Sequence, residues 1–134
     1  MSMIFGGYIV DSSGARHQLK VVEDPEEFVI RDVLSSISEC SGVITMRHEL
    51  ECEGQPYELV LYLESGNFLV MLSEYDRDGE HGVRTLTDLN SQNELVSILG
   101  EMYPARAVTR DVELVYTVFI EFARTGNVSA DIMA

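Results

Sequence analysis

The chain has 134 residues, 46% of them hydrophobic, and sets 23 carboxylates against nine basic residues for a formal charge of −14. A chain of this length and apolar content is expected to form one domain, spanning residues 1–134, and is too apolar for a disordered acidic tail. Its charge excludes nucleic acid and anionic lipid as favoured partners and favours basic surfaces, over a screening length of about 8 Å at physiological salt.

The N-terminus, Met1-Ser2-Met3-Ile4-Phe5-Gly6, has neither a basic segment nor a long apolar run, so no signal peptide is expected. No stretch approaches the ~20 apolar residues needed to cross a bilayer. Cys40 and Cys52 are the two cysteines, in no metal-ligand spacing, and are expected as free thiols in a reducing, cytoplasmic setting.

Phe5 to Val10 reads as a strand, Asp11-Ser12-Ser13-Gly14 as a turn, and Arg16 to Val22 as the returning strand of a hairpin. Asp24 is positioned as an N-cap, with Pro25 in the first helical position and Glu27 completing a capping box. The helix is predicted to run to about Glu39, with Ile30, Val33, Leu34 and Ile37 on its buried stripe. From Gly42 to Glu53 the residues alternate. Ile44, Met46, His48, Leu50 and Cys52 point inward, while Thr45, Arg47, Glu49, Glu51 and Glu53 form a wet face.

Gly54-Gln55-Pro56 leads into a strand from Tyr57 to Glu64, with Tyr57, Leu59, Leu61 and Leu63 on one side. Ser65-Gly66-Asn67 is a hairpin signal. Phe68 to Leu72 is apolar on both faces and should be a covered central strand. Asp76-Arg77-Asp78-Gly79 turns the chain, and Gly82 to Leu86 returns as another strand. Asn93 to Leu99 fits either a strand or a short helix, ended by Gly100 to Pro104. Thr109 is placed as the N-cap of a final helix, with Val112, Val115, Phe119 and Phe122 in its stripe and Gly126 just past its end. The order predicts an α+β domain, an antiparallel meander-like β-sheet with two main α-helices packed on it.

Catalytic signals are sparse. Glu74 to Gly79 has the opening of an EF-hand loop, but the twelfth position is Thr85 and strands flank it, so an acidic turn is the better reading. His17, His48 and His81 lie on separate elements, and no phosphate loop, zinc-protease motif or nucleophile elbow occurs. No cofactor and no metal are expected. The strongest pattern is acidic. Glu49, Glu51, Glu53, Glu58 and Glu64 are placed on one sheet face, with Asp76, Asp78 and Glu80 in a nearby turn. Such a group is either a solvated face or a docking surface for a basic partner.

The stretch Ile98 to Ala105, with Asp111 to Val115 and Phe119-Ile120-Glu121-Phe122-Ala123-Arg124-Thr125-Gly126-Asn127-Val128-Ser129, resembles small bacterial immunity proteins of contact-dependent growth inhibition (polymorphic toxin) systems. Phe5-Gly6-Gly7-Tyr8 and the turn after it are similar to members of such families. The resemblance implies a non-catalytic cytoplasmic monomer that binds the C-terminal domain of a cognate toxin one-to-one, a basic nuclease being the expected target. The alternatives are a small α+β enzyme or ligand-binding domain with His48 or His17 beside a carboxylate in a pocket, and an acidic adaptor for some other basic protein.

Overall fold

The structure, a computed structural model, describes residues 2–37, 39–49, 55–76, 78–86 and 94–133. Its elements are β1 (Met3–Val10), β2 (Arg16–Gln18), β3 (Val22–Glu23), α1 (Glu27–Ser36), β4 (Ser41–His48), β5 (Pro56–Glu64), β6 (Asn67–Tyr75), β7 (His81–Thr85), β8 (Leu95–Ile98), β9 (Glu101–Pro104), β10 (Val108–Thr109) and α2 (Val112–Thr125). Among the described residues, eight strands pair antiparallel in the order β10-β6-β5-β4-β1-β2, with β3 also on β1 and β7 also on β6. This is the predicted α+β class.

Alternation in four long strands makes one apolar face. Met3 and Phe5, Ile44 and Met46, Leu59, Leu61 and Leu63, and Phe68, Val70 and Leu72 are all buried within one cluster. The helices close over it with Ile30 and Leu34 from α1 and Val115, Val118, Phe119 and Phe122 from α2. Phe5 meets Phe119 edge to face, with ring centroids 6.2 Å apart, the geometry that aligns a ring edge with a neighbouring π face. No polar or charged residue among those described is buried, so burial opposes no charge here. No helix of the described chain is long and apolar enough to cross a membrane.

Helix α2 is capped two residues later than Thr109. Asp111 is the cap, its carboxylate accepting from the amides of Glu113 and Leu114, while the Thr109 hydroxyl accepts from the amide of Asp111. Gly126 ends the helix at φ +76°, as predicted. At α1 the expected cap is displaced for a clear reason. Asp24 sits at φ +47°, donates its N–H to the Met3 carbonyl at 2.7 Å, and accepts the Met3 N–H on its carboxylate at 2.8 Å. It closes the sheet edge instead, and α1 starts at Glu27 behind Glu26, which supplies no side-chain cap.

The outer face of the sheet is drier than its alternation suggested. Val60 is 8% and Leu69 1% exposed. A second sheet, the hairpin β8–β9, packs on β5 there and buries Ile98 completely. Leu99 and Gly100 join its strands at φ +53° and +84°, the two left-handed residues of a tight hairpin turn. Leu95 to Ile98 is thus a strand, and the glycine expected to break the chain reverses it. Ser65 and Gly66 (φ +50° and +81°) make the same kind of turn between β5 and β6. The return strand of the first hairpin is split into β2 and β3.

The register of β1 on β4 depends on two glycines. Gly7 lies opposite Ile44 and Gly42 opposite Ile9, at φ +135° and +155°. A Cβ on Gly7 would stand 2.1 Å from the Val43 carbonyl oxygen, and one on Gly42 2.3 Å from that of Tyr8. Neither is accommodated without moving backbone. Gly7→Ala is therefore expected to cost about 3 kcal/mol or more in chemical denaturation. Gly82→Ala, with nothing within 4 Å of the added carbon, should change stability by less than about 0.5 kcal/mol. Equal effects would contradict this account of the register.

Candidate functional site

The antiparallel connectivity brings distant acidic residues to one end of the main sheet. There β1 begins and β4 ends (Met3 opposite His48), β5 begins beside the end of β4 (Arg47 opposite Glu58), and β6 turns into β7 (Tyr75 opposite His81). Glu23 in β3 is registered against Ile4 at the same end. Glu49, Glu58, Asp76, Asp78 and Glu80, all predicted, lie along this end with Glu23 and Asp24. Glu51 and Glu53, with Cys52, lie outside the described residues. Arg47 lies across the strand pair from Glu58.

Glu64 does not join this group. It ends β5 at the opposite end of the sheet, where its carboxylate accepts the Leu99 N–H at 3.1 Å and ties down the β8–β9 turn. The expectation of one wet face carrying Glu49 through Glu64 fails for two reasons. Nine residues of extended strand separate the ends of β5, and the face between them holds Val60 and Tyr62, partly covered by the second hairpin.

The tip between β6 and β7 is held by Asp76. Its Oδ1 accepts the N–H groups of Asp78 and Glu80, each at 2.9 Å, while its own N–H donates to the Glu80 carbonyl. Asp78 and Glu80 are left exposed on a braced turn. The Ser2 hydroxyl lies 3.3 Å from carboxylate oxygens of both Glu23 and Asp24. Arg84 pairs with Glu74 at 3.3 Å. None of the ion pairs found among the described residues involves Glu49, Glu58, Asp76, Asp78 or Glu80.

Beside the tip is a group the sequence reading overlooked. A β-bulge between Pro56 and Glu58 takes Tyr57 out of the inward alternation and stacks it on Tyr75, centroids 5.0 Å apart and planes 16° from parallel. The Tyr57 hydroxyl lies 3.0 Å from Nε2 of His81, whose ring is 5.5 Å from that of Tyr75. Desolvation, aided by the neighbouring Tyr75 and Glu58, raises the Tyr57 phenol above its usual value, partly opposed by a hydrogen bond with Ser73. The sequence signal was the placement of Tyr75 and His81 on either side of the acidic turn.

The histidines occupy different surroundings. His48 packs edge-on against Phe122, centroids 5.4 Å apart, with Nε2 buried and without a hydrogen-bond partner. It lines neither a cavity near Arg106 and Arg110 nor one near Asp11, Glu39, Cys40 and Glu64. No set of three metal-binding side chains occurs among the described residues. His17 and Asp11 form an exposed pair at 2.6 Å. Asp11 also accepts the amides of Ser13 and Ala15 and the Ser13 hydroxyl, and so braces the β1–β2 turn.

A model of the family of unknown function DUF6911 matches residues 2–132. The chain belongs to that family. A crystal structure of a hypothetical protein from Neisseria gonorrhoeae is similar, with a TM-score of 0.86 and 25% identity, covering 96% of this chain and 90% of that one. No curated protein matches. Over 96% of its length this DUF6911 chain thus shares its fold with a solved structure.

The Asp11 turn gives a pH test. The Ser13 hydroxyl, His17 and the Ala15 amide hold its carboxyl well below the usual carboxylate range. Because folding lowers this value, its stabilising contribution is complete above the unfolded carboxylate's titration and is lost as pH falls toward the folded value. Acid denaturation of Asp11→Asn should therefore converge with wild type at the lowest pH, separate from it as pH rises toward about 4, and keep a constant gap above that. Parallel curves throughout would contradict the assignment.

Proposed function

We propose that this DUF6911 protein is a non-catalytic binding module that docks its acidic end on a basic protein partner. The observation that carries the reading is the convergence of Glu23, Asp24, Glu49, Glu58, Asp76, Asp78 and Glu80 at one end of the sheet, from segments far apart in the chain. Like charges gathered this way repel one another and weaken the fold. Their concentration at one sheet end, with Asp78 and Glu80 on a braced tip, is what a steering surface requires. Opposite potentials can raise association toward about 10⁸–10⁹ M⁻¹s⁻¹ at low salt.

The C-terminal resemblance to immunity proteins supplies the partner class, the C-terminal domain of a cognate toxin. A nuclease domain has the basic groove that this end complements, bound one-to-one by a monomer in the cytoplasm. The half-buried free thiol of Cys40 suits that compartment. The rival reading, a small enzyme or ligand-binding domain, loses His48, which packs on Phe122, and keeps the exposed His17–Asp11 pair, whose carboxylate lines one cavity.

The direct test is co-expression with the C-terminal domain of a toxin gene adjacent to this one, and the absence of any such gene would itself count against the immunity role. Wild-type protein should rescue growth, and the association rate should fall at least tenfold between about 0.05 and 0.5 M salt. Asp76 braces the tip through its Oδ1, so the reversals belong on Asp78 and Glu80: Asp78→Lys with Glu80→Lys should slow association about tenfold or more and leave the melting temperature close to wild type. Unchanged rates at all salts would overturn the acidic-end reading. Absence of rescue would overturn the immunity role.

A further inference from the structure

Beside the free acids stands an aromatic surface that charge alone does not require. We propose that Tyr57, Tyr75 and His81 form a platform on which an arginine side chain of the basic partner stacks, with Glu58 and Glu80 flanking it. The inference rests on the acidic-end reading and deepens it by naming the side chain that is gripped and the place where it sits.

Three observations carry it. The bulge in β5 spends a strand position to bring Tyr57 onto Tyr75, giving two nearly parallel rings, and His81 lies directly across the strand pair from Tyr75. Tyr57 and Tyr75 are half-buried and His81 is exposed, so the platform is fixed by its neighbours yet reaches solvent. Its residues also alternate with carboxylates along the chain, Tyr57 with Glu58 and Tyr75 with Asp76, so ring faces and negative charges share one patch.

Arginine is the cation that fits. Its guanidinium is planar, weakly hydrated and able to stack on a ring while donating sideways to carboxylates, whereas a lysine ammonium is a compact, strongly hydrated point charge. The chain already uses this contact elsewhere. The Arg16 guanidinium lies 3.9 Å from the centroid of Tyr8, and that of Arg31 5.4 Å from Tyr116. Buried tyrosine and arginine are also the residues that dominate binding energy at protein interfaces, surrounded by a rim whose contacts are nearly neutral.

The test separates stacking from charge. Fluorescent arginine–glycine and lysine–glycine repeat peptides of equal length and charge are titrated into the protein by anisotropy. Wild type should bind the arginine peptide about threefold to tenfold more tightly. Tyr75→Ala, which leaves the net charge unchanged, should abolish that preference while keeping the affinity for the lysine peptide. Tyr75→Leu preserves apolar bulk between β6 and β7 without a π face and should behave alike. Asp78→Asn with Glu80→Gln should weaken both peptides together. Equal binding of the two peptides by wild type, or a preference that survives both Tyr75 variants, overturns the platform and leaves the acidic-end reading standing. Failure of wild type to bind either peptide overturns both.

Discussion

Everything in this molecule depends on burying one apolar sheet face under α2. Phe119 and Phe122 reach the sheet from adjacent turns of that helix, and Phe119 meets the edge of Phe5 in β1. With no polar or charged residue of the described chain buried as a whole, the register of the four long strands follows from which alternation hides its large side chains. A slip of one residue would turn Leu59, Leu61 and Leu63 to the other side. The close approach of β1 to β4 at Gly7 and Gly42 fixes the same register from the backbone.

Register in turn decides where the charge goes. Carboxylates cannot enter the core, so they collect at turns and strand ends, and antiparallel pairing folds several of those onto one end. Hydrogen bonds then sort them by use. Asp24 closes the β1 edge, Asp76 shapes the tip, Glu64 anchors the second hairpin and Asp11 holds the first. Glu49, Glu58, Asp78 and Glu80 make no ion pair among the described residues, and they are the ones with charge to offer a partner.

Fold class was legible in the sequence because period-2 and period-3.6 patterns are set by burial. Ile44 and Met46, the Phe68 to Leu72 run, and the α2 stripe all lie where the patterns put them. Details that depend on partners distant in sequence were not legible. Asp24, Pro25 and Glu27 make a sound local cap signal, overridden because Asp24 meets Met3 across the sheet. The β5 bulge leaves no local mark, so Tyr57 was assigned inward. For the site, the acidic turn and Glu58 were read correctly as neighbours. Glu64 was not, because alternation reports the face of a strand and says nothing about which end a residue occupies.

The central claim is that charge gathered at one sheet end makes the docking surface. Hydrogen exchange of the protein, free and saturated with the arginine–glycine repeat peptide, tests this most directly. The account predicts new protection at Tyr57, Glu58 and the segment around Asp78 to His81, with α1 and α2 unchanged. Protection confined to the helices, with the β6–β7 tip exchanging as in the free protein, would contradict it.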